Sequence, residues 1–294
     1  MDKDFSGIHT ALITPFNHDK SIDYKSLTSL INEQIEHVDG IVILGTTGES
    51  PAISASESEK IINLAVKIAK DKIKIIVGTG SNNTQIAKDK SKLAEDLGAD
   101  VVLSMNPYYN KPTQEGMYQH FTEIANAINI PMILYNVKGR TSVNLETNTL
   151  VRLSKHKNIV GVKEASGDLV QIMDVIGNVD HNFTVISGDD SLTYPIMCLG
   201  GVGVISVVSN IFPSEMKSIV QNCSNSDFNS AKQMHYKLYH LMNALLSISS
   251  NPIPIKTILA YLGKIKEELR LPLCSLDSDK KHTLIKIYEN SLND

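Results

Sequence analysis

The residue of this sequence best suited to covalent chemistry is Lys163, which follows the short apolar run Ile159–Val162. Such a run between polar residues predicts a buried strand, because it is too short for a core helix. Side chains alternate along a strand, so Gly161 and Lys163 are expected to share one face. Desolvation at the end of a buried strand favours the neutral amine that attacks a carbonyl. An ordinary solvated lysine is the competing interpretation, and this segment alone does not decide between them.

Three more segments that follow predicted strands carry groups able to bind or move protons. Thr46 and Thr47 lie in Gly45–Ser50, where hydroxyls and backbone N–H groups between glycines suit a small carboxylate. A glycine turn that caps the next helix is the alternative there. Tyr135 ends an apolar run and can donate and accept protons, or it can be an ordinary core tyrosine. Arg140 can hold a carboxylate with two parallel hydrogen bonds, or it can be a surface arginine.

Weaker signals follow other predicted strands. Tyr108 and Tyr109 stand between prolines, which suits an interface or a site. Gly188 follows the seventh apolar run, and the stretch Gly200–Gly203 leads into the eighth and overlaps its first two residues. Glycine at these places lets a substrate approach the backbone, or it cradles a phosphate, although no cation lies in Gly200–Gly203 to support the phosphate.

The fold is predicted from eight strand-like runs with amphipathic segments between most of them. The runs are Ile8–Ile13, Gly40–Leu44, Lys74–Val77, Asp100–Leu103, Pro131–Tyr135, Ile159–Lys163, Thr184–Ser187 and Val202–Val207. Strands that alternate with helices predict a parallel sheet, and eight such units predict a (β/α)8 TIM barrel. A doubly wound open sheet is the rival, but the glycine-rich turn expected after its first strand is missing.

Beyond residue 227 the strand pattern ends. Three helices are predicted there, over Phe228–Leu246, Ile253–Leu262 and Lys280–Leu292. The sequence therefore predicts a barrel domain over residues 1–226 and a C-terminal helical domain over residues 227–294. No linker rich in Gly, Pro or Ser separates them, so the helices are expected to dock tightly on the barrel.

Composition excludes several classes of function. The chain has 294 residues, 42% of them hydrophobic and 20% charged, with a net charge of −4. This charge disfavours nucleic acid, and no run approaches the roughly 20 apolar residues that span a bilayer. The first residues do not form a signal peptide, and three widely spaced cysteines suit a reducing compartment, which predicts a cytoplasmic protein. Scattered histidines without HExxH or a Cys/His cluster predict no metal site. Residue counts leave a Ser/His/Asp triad open, but the sequence has no GxSxG elbow.

Several motifs in order along nearly the whole chain closely resemble the dihydrodipicolinate synthase (4-hydroxy-tetrahydrodipicolinate synthase) family of pyruvate aldolases. The motifs are GTTGES at 45–50, PYYNKP at 107–112, LYNV at 134–137, GRT at 139–141, VKEASGD at 162–168, SGDD at 187–190 and NPIPIK at 251–256. The resemblance implies condensation of pyruvate with L-aspartate 4-semialdehyde in lysine (diaminopimelate) biosynthesis. It implies no cofactor beyond a covalent pyruvate imine.

The resemblance also implies a role for each matching residue of the catalytic centre. Lys163 would form the Schiff base with pyruvate, and Tyr135 would be the general acid and base. Thr46 and Thr47 would hold the pyruvate carboxylate, with Thr46 also relaying protons. Tyr109 would complete this relay from a neighbouring subunit, which implies a homodimer or homotetramer.

The second substrate and the pocket wall involve three more matching residues. Arg140 would bind the carboxylate of the semialdehyde, while Gly188 and Ile205 would line the pocket. The sequence departs from the family nearby, since Lys138 stands where proline is usual and Gly139 differs as well. That departure puts the conformation of the loop that carries Arg140 in doubt.

A further departure concerns feedback control. Members inhibited by L-lysine carry histidines and a glutamate in an interface cleft, where this chain has Ala55, Ser58 and Ile86. Ser50, Asn82 and Tyr108 match the family. Because the three replacements cannot neutralise ammonium groups, weak or absent inhibition by L-lysine is predicted.

Three alternative functions stay open at this point. N-acetylneuraminate lyase or another keto-acid sugar aldolase would share Lys163 and Tyr135, but a polyhydroxylated substrate would not need Arg140. A non-catalytic ligand-binding barrel would not need the lysine, threonines and tyrosines together. A phosphate-binding barrel would lack a cation in its glycine-rich stretch.

Overall fold

The computed structural model describes residues 5–293, with only the backbone described at Asn293. Eight parallel strands each pair with the next along the chain, and the first closes the ring on the eighth. The predicted (β/α)8 barrel is therefore confirmed. The strands are β1 (Gly7–Ala11), β2 (Gly40–Ile43), β3 (Lys74–Gly78), β4 (Val101–Met105), β5 (Met132–Asn136), β6 (Ile159–Glu164), β7 (Thr184–Ser187) and β8 (Gly203–Ser206).

Helices connect the strands and cover the barrel. They are α1 (Tyr24–Ile35), α2 (Ala55–Ala69), α3 (Thr84–Asp96), α4 (Gln114–Asn126), α5 (Lys138–Thr141), α6 (Thr147–Leu153), α7 (Leu169–Asn178), α8 (Thr193–Cys198) and α9 (Pro213–Ser224). A capping box begins α2, where the Ser54 hydroxyl accepts from the Glu57 N–H and the Glu57 carboxylate accepts from the Ser54 N–H. In the described part of the chain no helix is both long and apolar enough to cross a membrane.

The buried side chains form two layers because successive residues of a strand point to opposite faces. One face of the strands fills the inside of the barrel with Ile76, Leu103, Ile133, Ile186 and Ile205 among others. The other face packs against the surrounding helices in a larger cluster. The inside is thus a packed core, and polar groups can enter it only at the ends of the strands.

Close backbone approach explains one glycine of the Gly200–Gly203 stretch. A Cβ atom at Gly203 would lie 2.1 Å from the carbonyl oxygen of Gly7, on the strand that closes the barrel. The space beside Gly203 is therefore occupied by β1, which explains this glycine without a phosphate.

Three C-terminal helices confirm the helical prediction beyond residue 227. They are α10 (Phe228–Ser247), α11 (Ile253–Tyr261) and α12 (Ser278–Asn293). Ion pairs join this part of the chain to the barrel, between Lys264 and Glu33 and between Arg270 and Glu57. The division at residue 226 stays a prediction, and its outer limits, residues 1 and 294, lie outside the described residues.

Candidate active site at the C-terminal mouth of the barrel

Lys163 and Tyr135 lie side by side at the C-terminal ends of β6 and β5. The two residues are paired in the register of these strands. The Nζ atom of Lys163 is 4.3 Å from the centroid of the Tyr135 ring. Both residues are buried, with exposed fractions of 7% for the lysine and 8% for the tyrosine. The strand pattern thus places an amine and a phenol together in a water-poor part of the mouth.

An irregularity in strand pairing creates this juxtaposition. Met132 pairs with Ile159, but Ile133 pairs with Gly161, so the register passes over Val160. A shift of one residue turns the side chains of a strand to its other face relative to its partner. Because of the skipped residue, the lysine is level with the tyrosine on the neighbouring strand.

Gly188, directly after β7, leaves room for the lysine side chain. A Cβ atom at Gly188 would lie 2.9 Å from Cε of Lys163 and 2.9 Å from Cβ of Ala165. It would also lie 3.0 Å from the carbonyl oxygen of Glu164. Contacts this short are not tolerated without movement, so a glycine is needed where the strand passes the lysine.

The loop after β2 brings Thr46 and Thr47 to the same mouth. The Thr47 side chain is buried, and its Oγ1 accepts a hydrogen bond from Nδ2 of Asn251 at 2.9 Å. The carbonyl of Gly48 accepts from the Thr14 hydroxyl at 2.8 Å. These bonds fix the loop to the segment after β1 on one side and to the turn before α11 on the other.

A buried ion pair supports the same loop from below. Glu49 and Lys256 are 2.6 Å apart, and each side chain is only 1% exposed. Lys256 also donates to the carbonyl of Thr14 at 2.9 Å and lies 4.2 Å from the centroid of the Phe16 ring. Burial lowers the pKa of Lys256, while Glu49 opposes that change. The ion pair therefore links α11 to the threonine loop inside the protein.

Arg140 lies on α5, directly after β5, and its side chain reaches the cavity. Its Nη2 donates to the carbonyl oxygen of Asn251 at 3.1 Å. No carboxylate of the described residues pairs with this guanidinium, and the residue is exposed. Its remaining donors are thus available to a ligand.

These side chains border one cavity of about 380 Å³. Six residues predicted from the sequence line it: Thr46, Thr47, Tyr135, Arg140, Lys163 and Gly188. The volume suits small substrates, and the lining combines apolar side chains with a few polar groups, as in most enzyme sites. The arrangement can hold a small keto acid by its carboxylate beside a buried amine.

Two predicted site residues lie elsewhere. Tyr109 is 88% exposed and does not border the cavity of its own chain. Ile205 is buried in the inner core with Tyr135, below the cavity lining rather than in it. For Ile205, side-chain alternation along β8 predicts an inward direction but not the depth.

Comparison with known proteins identifies the family. A family model described as the Dihydrodipicolinate synthetase family matches residues 4–291. The chain belongs to this family. It is 48% identical to the 4-hydroxy-tetrahydrodipicolinate synthase of Methanocaldococcus jannaschii over 99% of the chain and 98% of that protein.

Solved structures agree with this family membership. The dihydrodipicolinate synthase of Acinetobacter baumannii, solved in a complex with pyruvate, has a TM-score of 0.96 and 41% identity, covering 98% of this chain and 99% of that one. The 4-hydroxy-tetrahydrodipicolinate synthase of Methylacidiphilum fumariolicum SolV also has a TM-score of 0.96 and 41% identity, covering 99% of this chain and 97% of that one. The family predicted from the sequence motifs is confirmed.

Sequence reasoning missed one residue of this synthetase-family site. Asn251 contacts both Thr47 and Arg140, yet it lies in the turn before α11, far along the chain from either. The NPIPIK motif at 251–256 marks the segment, but only as a point of resemblance. Nothing in the local pattern indicates that this turn reaches the mouth of the barrel.

Two buried carboxyls stand near the mouth of the barrel. Burial raises the pKa of Asp190 to about 6, while hydrogen bonds from Ser206 and from the backbone N–H groups of Val207 and Val208 oppose the rise. Burial also raises the pKa of Glu164, which accepts from Asn136 Nδ2 at 2.7 Å. Neither residue borders the cavity, so both act as supports for the loops around it.

The described residues contain no candidate metal site. Among residues 5–293, no group of three or more His, Cys, Asp or Glu side chains could hold a metal ion. The polar groups that do converge in this synthetase-family chain are an amine, a phenol, two hydroxyls and a guanidinium.

Proposed function

We propose that this chain condenses pyruvate with L-aspartate 4-semialdehyde, the reaction of a 4-hydroxy-tetrahydrodipicolinate synthase in lysine (diaminopimelate) biosynthesis. Its relatives carry this name at 46–48% identity over nearly the full chain. The observation that carries the proposal is the buried Lys163 amine beside Tyr135 on the wall of a cavity of about 380 Å³. The enzyme is a Schiff-base-forming lyase of the class I aldolase type, and it needs no cofactor beyond the pyruvate imine.

The first half of the reaction builds that imine. An unprotonated Lys163 amine forms a bond to the keto carbon of pyruvate; Tyr135 gives its proton to the new alkoxide and takes back the proton that the nitrogen loses. Loss of the hydroxyl as water, again with proton transfer from Tyr135, leaves an iminium between enzyme and substrate. Thr46 lies on the same cavity wall and relays protons to and from the tyrosine.

The second half forms the carbon–carbon bond. The iminium withdraws electrons, so the methyl group loses a proton and becomes an enamine. The enamine carbon attacks the aldehyde carbon of the second substrate, whose oxygen takes up a proton and becomes a hydroxyl. The amino group of that substrate then attacks the imine carbon, which closes the ring and releases the lysine.

Two groups separate the carboxylates of the two substrates. Thr47, with the backbone of its loop, holds the pyruvate carboxylate beside Lys163. Arg140 is the guanidinium among the residues that border the cavity, and it binds the carboxylate of the semialdehyde at the entrance. Gly188 makes room for the lysine, and Ile205 supports Tyr135 from the core below rather than lining the pocket.

The active form in this proposal is an oligomer. Tyr109 is 88% exposed and does not border its own cavity, which supports its insertion into the site of a neighbouring subunit. A homodimer is the minimum that this requires, and a homotetramer is compatible with it. One solved relative at 40% identity is described as a monomeric dihydrodipicolinate synthase variant.

The proposal includes a cytoplasmic enzyme. The three cysteines, Cys198, Cys223 and Cys274, are free thiols, which suits a reducing compartment. No observation favours the sugar-aldolase alternative, because Arg140 at the cavity suits an aldehyde that carries a carboxylate.

A substrate comparison tests the function. We expect condensation of pyruvate with L-aspartate 4-semialdehyde and no cleavage of N-acetylneuraminate. Replacement of Lys163 by alanine should lower the rate by at least about a thousandfold, because the covalent route is lost. The exposed Lys155, which pairs with Asp180, gives the matched control, and Lys155→Ala should keep full activity. Cleavage of the sugar acid without condensation, or an active Lys163→Ala variant, would refute the proposal.

A further inference from the structure

We infer that Asn251 is a positioning residue that turns the Thr47 hydroxyl toward the carboxylate of pyruvate, an inference that rests on the proposed function. Asn251 lies in the turn between α10 and α11 and borders the cavity. It comes from the C-terminal helical part of the chain, whereas the residues assigned to the chemistry come from the strands and loops of the barrel. Through Asn251, the C-terminal helical part of the chain contributes to substrate binding.

The direction of one hydrogen bond carries the argument. The Asn251 Nδ2 group can only donate, so the Thr47 Oγ1 atom, 2.9 Å away, must accept. A threonine hydroxyl has one proton to donate. Because the bond from Asn251 uses a lone pair of the Thr47 oxygen, this proton stays free to donate to a ligand. Within the described residues this is the only hydrogen bond of the Thr47 hydroxyl. A carboxylate only accepts, so it is the ligand that a hydroxyl held in this way suits best.

The burial of the amide indicates function rather than stability. Asn251 is 6% exposed, and its Oδ1 atom is enclosed without a hydrogen-bond partner among the described residues. A buried acceptor without a partner is destabilising, so an apolar side chain of similar volume should be tolerated here. Proteins are expected to keep a polar residue at such a position, where an apolar residue would give at least equal stability, when the polar group has a function.

The segment is also held rigidly enough to position the hydroxyl. Lys256, five residues further along, forms the buried ion pair with Glu49 on the threonine loop. The same loop is therefore joined to the C-terminal helices at two points. The backbone carbonyl of Asn251 accepts from Arg140 Nη2, so a change of the Asn251 side chain leaves that second contact in place.

The test is a comparison of substrate constants. Asn251→Leu should raise the KM for pyruvate about tenfold, because the loss of one hydrogen bond to a charged ligand weakens binding by about that factor. The change in kcat should be much smaller. The KM for the semialdehyde should change by less than about twofold, because Arg140 keeps its backbone partner. Thr257→Val, which removes a buried hydrogen bond inside α11, is the matched control and should change neither constant.

A double substitution distinguishes positioning from a structural effect. In the Thr47→Val background, Asn251→Leu should have no further effect on the KM for pyruvate, because the hydroxyl that it orients is gone. Asn251→Asp keeps a polar side chain of the same size, but its carboxylate accepts a hydrogen bond from the Thr47 hydroxyl, which can then no longer donate to pyruvate. It should therefore raise the KM for pyruvate more than Asn251→Leu does.

Three results would overturn the inference. They are an unchanged KM for pyruvate in folded Asn251→Leu and Asn251→Asp, an equal rise of both KM values, or an undiminished effect in the Thr47→Val background. Failure of the proposed function would look different. In that case the wild-type chain itself would not condense pyruvate with L-aspartate 4-semialdehyde.

Discussion

The buried ion pair between Glu49 and Lys256 allows the sharpest prediction about how the C-terminal helices support the site. Replacement of Lys256 by methionine keeps the volume and removes the charge. It leaves the Glu49 carboxylate 1% exposed without its cation, and it removes the donor to the Thr14 carbonyl. The substitution should therefore destabilise the fold and loosen the loop that carries Thr47.

The expected magnitude follows from the burial. Removal of one partner of a fully buried ion pair costs about 3–5 kcal/mol, because the other charge stays desolvated. For a chain of this size that corresponds to a fall in Tm on the order of 10 °C. The double variant Glu49→Met/Lys256→Met removes both charges, so it should be more stable than Lys256→Met alone.

Urea unfolding followed by circular dichroism at neutral pH measures these differences. The exposed pair of Lys155 and Asp180, with side chains 58% and 61% exposed, is the control. Lys155→Met should change the free energy of unfolding by less than about 1 kcal/mol. A loss of less than about 1 kcal/mol in Lys256→Met, or a double variant whose loss equals the sum of the two single losses, would refute this reasoning.

Three other predictions follow from the site and its surroundings. Gly188→Ala should lower kcat at least tenfold and cost about 1–3 kcal/mol of stability, because its Cβ would press on Lys163 and Ala165. Steady-state kinetics and thermal melts measure both effects. Gly177→Ala is the control, because a Cβ at that position meets nothing within 4 Å. Millimolar L-lysine should inhibit the enzyme weakly or not at all, because Ala55 and Ser58, which line a small cavity with Ser50 and Lys90, carry no negative charge to neutralise the ammonium groups of the ligand. Strong inhibition in a steady-state assay would contradict this. The pKa of Asp190 is raised from 3.8 to about 6 in the folded state, so between these pH values the folded protein binds more protons than the unfolded chain. The stability of the wild type relative to Asp190→Asn should therefore fall as pH rises from about 4 to 6 and stay level above 7. A rise in this stability difference between about pH 4 and 6, measured by urea unfolding, would contradict the prediction.

The barrel was predictable because its strands are short apolar runs between polar boundaries. Each predicted strand overlaps an observed one, and no end differs by more than two residues. The placement of Lys163 beside Tyr135 was only partly predictable. Period-two alternation predicts which residues of one strand share a face, but the register passes over Val160, and no local pattern marks that irregularity.

Long-range contacts were beyond the reach of the sequence pattern. Asn251 and Lys256 act on the loop after β2 from about 200 residues further along the chain, and hydrophobic periodicity carries no information about such pairs. Tyr109 is a different case, because its predicted role needs a second subunit. Ile205 was expected to line the pocket, but its side chain is buried in the inner core and does not border the cavity.

The central claim is that the Lys163 amine forms a covalent bond with pyruvate. The most direct measurement is incubation with pyruvate and sodium borohydride, followed by mass spectrometry of the peptides. We expect one reduced pyruvate adduct per chain, located on Lys163, and a Tyr135→Phe variant that forms it more slowly. An adduct on a different lysine, or no adduct in a folded and substrate-binding enzyme, would contradict the mechanism.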